Sequence, residues 1–278
     1  MSQTWNPDMT PPEVTVGPIG WLKVALKVPV LIVVLGVGVV LMLLLRLIEA
    51  PIFGARRPVT PFITVVVCRL ALRVVGVRYR TEGTPMTGQG AMVANHTSWL
   101  DIFALNAGRP LYFVSKSEVA GWPGIGFLAK ITGTVFIKRD RSEAQAQLEV
   151  FRTRFKHGHK LLFFPEGTST DGRRVLPFKP TLFAAFLDPD LVNILSLQPV
   201  SLVYRAGQGQ DARQYGWWGD MGFGENLIAH LSAQRHGSIT VVYHDPIKVS
   251  DHPNRKTLAK MTEAAVRASL EDAGVLDA

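Results

Sequence analysis

Two side chains in this chain have the types and spacing to move a proton. His96 and Asp101 stand five apart in the run Asn95-His-Thr-Ser-Trp-Leu-Asp101. A neutral imidazole takes a proton from an alcohol near pH 7 when a carboxylate fixes its tautomer and stabilises the imidazolium that forms. An apolar, strand-like run at 91–94 precedes the histidine, and a helix-like run with Ser98 as a plausible cap follows it. That places His96 at the carboxyl end of a strand, where α/β sheets collect their sites. Spacing alone leaves other readings open. Ser98-Trp-Leu-Asp101 also fits a capping box, its carboxylate reaching back to an orphan backbone N–H, and a buried histidine is often satisfied by a backbone carbonyl.

Two further strand ends carry polar residues. After the apolar run 161–164 comes Pro165-Glu166-Gly167-Thr168-Ser169. A carboxylate on such a turn accepts hydrogen bonds from substrate hydroxyls, and nearby N–H groups stabilise an oxyanion; on the other reading the proline and glycine simply make the turn. Gly133-Thr-Val-Phe-Ile-Lys138-Arg139 ends in two cations. An arginine there suits a phosphate or carboxylate, which it binds bidentately, although such pairs are also common as solvated surface charge.

Competing chemistries are weaker. Gly167-Thr-Ser169-Thr-Asp171 approaches the nucleophile elbow of serine hydrolases but lacks its last glycine. Gly124-Ile-Gly126-Phe-Leu-Ala129 follows Pro123 and has no strand feeding it, so a dinucleotide site is not expected. His157 and His159 have no clustered partners and read as surface residues at a helix end. The one cysteine, Cys68, excludes a disulfide framework and any cysteine-based zinc cluster. A net charge of +8 favours an anionic partner. The charges are dispersed and no nucleic-acid motif is present, so the expected partner is a membrane surface and not nucleic acid.

The elements around these residues divide the chain. Residues 1–20 carry four prolines and little periodicity, as in a flexible N-terminal arm. From 28 to 45 every residue is apolar or glycine, between Lys23 and Lys27 on one side and Arg46 on the other. At 1.5 Å per residue this is about the length of a hydrocarbon core. A cleaved signal would have a shorter core, and Glu49-Ala-Pro51 is a poor cleavage site. The run 62–75 is apolar except for Arg69 and Arg73, which share one helix face. It reads either as an interfacial helix with its arginines at the phosphate level or as a helix packed on the domain. Residues 21–75 are expected to form a membrane anchor, with the second run as its interfacial helix. Arg46, Arg56, Arg57, Arg69 and Arg73 outweigh the two lysines, which sets the bulk of the chain on the cytoplasmic face of the cell inner membrane.

Beyond the anchor, strand-like runs at 74–80, 91–94, 112–114, 135–137, 161–164, 196–203 and 238–243 alternate with helix-like runs at 98–106, 143–157 and 255–271. The pattern predicts an α/β domain over 76–278. Residues 205–224 read as one long loop carrying Trp217 and Trp218, as a membrane-facing belt or as core packing.

Taken in order, Asn95-His96-x4-Asp101, Phe136-Ile-Lys-Arg139, Phe164-Pro-Glu-Gly-Thr168 and Gln198-Pro199-Val200 resemble the four sequence blocks of the PlsC-type (1-acylglycerol-3-phosphate O-acyltransferase-like) glycerolipid acyltransferases. The resemblance covers roughly 74–245. It implies a mixed sheet flanked by helices and a catalytic dyad of His96 and Asp101. It puts Arg139, Glu166 and Gly167 on the acceptor and has Pro199 shape the pocket, with Asn95, Lys138, Thr168, Ser169 and Lys179 as neighbouring substrate contacts. It implies no metal and no cofactor, an acyl carrier protein or coenzyme A thioester as donor, and a lyso-lipid acceptor drawn from the bilayer. Many members that use lysophosphatidate have arginine where this chain has Ser169. The run from Glu166 to Gly172, with Pro177-Phe-Lys179 and Gly216-Trp-Trp-Gly-Asp220, is most similar to the bacterial branch that acylates lyso-ornithine lipid or related lyso-aminolipids, such as glutamine-headed ones. A carboxylate head would then meet Arg139, Arg173 or Lys179. Phosphatidate synthesis is the alternative, and a hydrolase using Ser169 a remote one.

Overall fold

The computed structural model describes Trp5, Pro11 and residues 15–138, 143–252 and 254–277. Its first element, α1 (Pro18–Phe53), is a helix of 36 residues. Proline at its start costs nothing, because the first N–H groups of a helix have no partner in any case. By length and composition α1 is sufficient to cross a membrane. Leu26, Ile32, Val33, Leu44, Leu47 and Ile52 all stand exposed along it, an apolar surface that water disfavours and lipid accepts.

The second helix, α2 (Thr60–Val75), turns back along α1. Gly38 allows the close approach: a Cβ there would come within 2.4 Å of a Val67 methyl. The turn between them is closed by Glu49, whose carboxylate accepts from Val59 N at 2.7 Å, Thr60 N at 3.1 Å and Thr60 Oγ1 at 2.5 Å. A carboxylate from the preceding helix thereby satisfies the orphan donors that begin α2. Both ends of this hairpin are tied to the rest of the protein. Lys23 Nζ donates to Ala233 O at 3.1 Å near one end, and Arg57 Nη1 donates to Ile131 O at 2.9 Å near the other. Arg69 is exposed, and its Nε donates to Ala107 O at 2.7 Å. The run 62–75 thus packs one face on the domain through Val65, Cys68 and Leu72, and leaves Phe62, Val66 and Leu70 exposed on the other.

The sheet has strands β1 (Arg78–Glu82), β2 (Gly90–Ala94), β3 (Tyr112–Lys116), β4 (Val135–Ile137), β5 (Leu161–Phe163), β6 (Ser196–Arg205), β7 (Ser238–Tyr243) and β8 (Ile247–Lys248). Their order is β1-β7-β6-β2-β5-β3-β4, with β8 also on β6. The run from β6 through β2, β5 and β3 to β4 is parallel, whereas β7 and β8 meet β6 antiparallel. The sheet is mixed, as expected. Helices α3 (Leu100–Gly108), α4 (Ile125–Thr132), α5 (Ala144–Lys156), α6 (Phe223–Ser232) and α7 (Arg255–Asp272) complete the fold.

Alternation along β2 separates two cores, as the period of a strand dictates. Met92 and Ala94 face a core shared with Leu72, Leu105 and Leu231. Ala91 and Val93 face one built with Phe155, Phe183 and Leu258. The first core lies under α2, α3 and α6, the second under α5, α7 and a 3-10 helix at Pro180–Leu187.

Several expectations are corrected. The strand expected at 74–80 begins only at Arg78, because α2 continues through Val75. Helices α4 and α6 were not expected. Trp218 is 2% exposed and belongs to the core, while Trp217 is half-buried and its indole donates to Met221 O at 2.9 Å. His159 is buried on Tyr112, ring centroids 4.3 Å apart, and burial pushes its pKa down to about 4. Of the arm expected at 1–20, residues 1–4, 6–10 and 12–14 lie outside the described residues. Trp5 is held on the domain, accepting from Gly219 N at 3.1 Å.

Candidate active site

Strands β2 and β5 are parallel neighbours with Val93 opposite Phe163, so their carboxyl ends bring Asn95-His96 and Phe164-Pro-Glu166 side by side. Asn95 is buried, its amide accepting from Leu202 N at 2.8 Å and donating to Leu202 O at 3.1 Å. A side chain thus prolongs the pairing of β2 with β6 by one step and fixes where the next residue starts. It faces protein backbone, not a substrate.

Asp101, in the first turn of α3, is 0% exposed. One oxygen, Oδ2, accepts from Thr97 N at 2.7 Å, Ser98 N at 3.1 Å and His96 Nδ1 at 2.6 Å. The other, Oδ1, accepts a short hydrogen bond from the hydroxyl of Tyr204 on β6. The two sequence readings of Asp101 are therefore both realised, since the carboxylate that caps the turn also holds the imidazole. With Nδ1 donating to a carboxylate, Nε2 is the nitrogen that carries a lone pair. The imidazole stacks on Phe164, centroids 4.0 Å apart at 11°, and the side chain keeps 19% of its surface exposed. A packed ring with one accessible nitrogen is the arrangement a general base requires.

Glu166 is 1% exposed. Its Oε1 accepts from His96 N at 2.7 Å and its Oε2 from Leu176 N at 2.8 Å. Burial pushes its pKa up to about 8, while the two N–H donors act in the opposite direction. Both oxygens thus serve backbone N–H groups, and Glu166 clamps the backbone of His96. Gly167 makes the turn with φ 75°, its N–H on Phe164 O at 3.0 Å, a conformation that L side chains resist.

The next residues stitch this turn to the tryptophan loop. Thr168 Oγ1 accepts from Trp5 N at 3.2 Å. Ser169 Oγ donates to Trp217 O at 2.5 Å, which commits the hydroxyl that a hydrolase would need as nucleophile. Thr170 N donates to His96 O at 3.0 Å, and Trp217 N to Thr97 O at 2.9 Å. Arg173, considered for a head group, reaches Asp277 at 2.8 Å. Arg174 and Arg213 converge on the buried Asp171 at 3.0 and 3.2 Å, and Arg174 also lies over the Trp5 ring at 4.7 Å.

The remaining expected contacts are placed less uniformly. Lys138 follows β4, three strands from β2, or roughly 14 Å at the usual strand spacing; its Nζ lies 2.6 Å from Glu143. Arg139 lies outside the described residues. Lys179 is exposed beyond the Glu166 turn, its N–H on Pro165 O at 3.0 Å. Pro199 is buried within β6 opposite Val93. It falls between the stretch of β6 paired with β8 and the stretch paired with β7, where a missing N–H is tolerated. It backs the strand that carries His96. Among the described residues no group of three or more His, Cys, Asp or Glu is arranged to hold a metal.

Two contributors escaped the sequence reading. Tyr204 has one weak signal, since Leu202 and Tyr204 alternate with the β6 period onto the core face that also holds Ala94. Trp5 has none.

A mixed α/β sheet with a carboxylate-backed imidazole at its carboxyl edge and an apolar hairpin alongside defines a transferase suited to lipid substrates. Residues 74–203 match the family model described as Acyltransferase. A lyso-ornithine lipid O-acyltransferase from Rhodobacter capsulatus is 53% identical over 266 residues, which cover 96% of each chain. One from Brucella abortus is 36% identical over 223 residues, 74% of this chain and 80% of that one. The chain belongs to this acyltransferase family and is an acyltransferase. The crystal structure of the 1-acyl-sn-glycerophosphate acyltransferase PlsC from Thermotoga maritima shares the fold, with a TM-score of 0.64 at 18% identity over 94% of this chain and 96% of that one.

Proposed function

We propose that this enzyme transfers a fatty acyl chain from a thioester, carried by acyl carrier protein or coenzyme A, to the hydroxyl of a lyso-ornithine lipid. The observation that carries the chemistry is the imidazole of His96, held through Nδ1 at 2.6 Å by a fully buried carboxylate while the ring keeps an accessible edge. The acceptor is supported by 53% identity to the Rhodobacter capsulatus enzyme across 96% of the chain.

Nε2 of His96 takes the proton as the acceptor oxygen attacks the thioester carbonyl. The C–O bond forms, the C–S bond breaks, and the thiolate recovers the proton from the imidazolium that Asp101 stabilises. No acyl-enzyme is required. Holding both substrates at one site removes much of the entropic barrier. Glu166 and Asn95 position His96, Gly167, Thr168 and Ser169 form the wall of the site, Pro199 supports it from behind, and Arg139 or Lys179 receives the carboxylate of the head group, with Lys138 as an outlying cation. Residues 21–75 act as the membrane unit and 76–278 as the catalytic one. Because both ends of the hairpin are tied to the α/β part, α1 lies in one leaflet, the cytoplasmic one of the inner membrane, where the lyso-lipid resides.

The test is acyl transfer by purified enzyme in nanodiscs, with lyso-ornithine lipid or lysophosphatidate as acceptor and each thioester as donor. Ornithine lipid should form, and His96→Ala should abolish it. Equal or faster acylation of lysophosphatidate would overturn the acceptor assignment, and turnover by His96→Ala the mechanism.

A further inference from the structure

We infer that Tyr204 is a positioning residue for the proton transfer, acting through Asp101; this rests on His96 and Asp101 being the base and its partner. The Asp101 oxygen that accepts from Thr97, Ser98 and His96 is already crowded with donors. The other oxygen has the Tyr204 hydroxyl, brought from 103 residues away on β6. Both side chains are buried and Asp101 is fully so. In such a place no water replaces a missing donor.

The hydroxyl does two things. It fixes the rotation of the carboxylate, and with it the direction in which Oδ2 meets Nδ1. It also sets the proton affinity of the carboxylate, since each donor removed from a buried carboxylate raises that affinity. A more basic Asp101 stabilises the imidazolium more strongly, and a stronger donor at Tyr204 has the opposite effect.

The surroundings contain other titratable groups. Tyr215 lies 5.5 Å from the Tyr204 ring, and His230 on α6 lies 5.5 Å behind Tyr215. Glu166 stands on the far side of His96. On the flanking strands Tyr204 meets Ile239 of β7, and the backbone beside it pairs with Asn95 after β2. All of these remain in a Tyr204→Phe variant, which keeps the ring and removes only the donor.

The experiment is the pH dependence of kcat and of kcat/KM for the acceptor in wild type, Tyr204→Phe and His96→Ala, with thermal unfolding in parallel. Tyr204→Phe should lower kcat about tenfold with KM nearly unchanged, the size expected for losing a hydrogen bond to a charged group. Its acid limb should move to higher pH by about half a unit or more. Replacing Tyr204 with 3-fluorotyrosine, nearly isosteric and a stronger donor, should move the limb to lower pH. A lowered kcat with an unmoved limb is what a purely structural role produces, and it overturns the inference. If Tyr204→Phe does not fold, the fluorinated enzyme decides alone, and an unmoved limb there is equally fatal. Activity in His96→Ala would instead remove the dyad on which the inference rests.

Discussion

At Asp101 a single carboxylate caps a turn and holds a base, which couples stability to catalysis at one residue. Asparagine there would present an NH2 group where an acceptor is needed for the Thr97 and Ser98 N–H groups or for the tyrosine hydroxyl. Asp101→Asn should therefore lower kcat by about three to four orders of magnitude. It should also destabilise the fold by about 1–3 kcal/mol, read by urea unfolding of the same preparation. Glu166 differs in that both its oxygens serve the backbone. Glu166→Gln keeps one acceptor and should cost a similar stability while lowering kcat with little change in KM; a change confined to acceptor KM would point back to direct substrate contact. Ser169→Ala removes only a hydroxyl bonded to Trp217 O and should leave turnover within a few-fold of wild type, whereas a serine nucleophile would make it inactive. The sequence made His96 and Asp101 legible because only five positions separate the end of β2 from the first turn of α3. It did not show the backbone role of Glu166, because the N–H groups on its oxygens belong to other segments of the chain.

Among the elements, the α1–α2 hairpin shows how composition and packing answer different questions. An apolar run of this length is sufficient to cross a membrane, yet how the helix lies against the protein depends on Glu49, Gly38 and the two tethers at Lys23 and Arg57. Gly38→Leu places a side chain into Val67 and should separate the helices, lowering the unfolding temperature while the protein still fractionates with membranes, because the apolar face of α1 is untouched. Salt at 1 M shortens the screening length to about 3 Å and should not release wild type, since lipid contact through α1 is apolar; release would indicate an electrostatic mode. Strands β2, β4, β5 and β7 were readable from short apolar runs between turn residues. Helices α4 and α6 were not, as each follows a glycine-rich stretch that conceals its start.

For the molecule as a whole, burial of histidines sets the acid limit. His159, His230 and His236 are pushed down to about 4, chiefly by burial. Between about pH 6.5 and 4 the unfolded chain binds protons that the folded chain refuses, so stability should fall as pH drops through that window. Glu166 acts with the opposite sign: its pKa is raised to about 8, so its contribution declines as pH rises from about 4.5 to 8. Unfolding temperature against pH should decline on the acid side, less steeply in a His230→Gln variant.

Local sequence pointed to the His96–Asp101 pair, most of the strand runs and the long apolar helix, because each depends on residues within a turn or a strand of one another. Strand order, the return of the hairpin, the Tyr204 hydroxyl on Asp101 and the occupation of Glu166 were decided only in three dimensions. They join segments some tens to more than a hundred residues apart, and which of these meet depends on how apolar faces are buried together, a property that no local pattern carries.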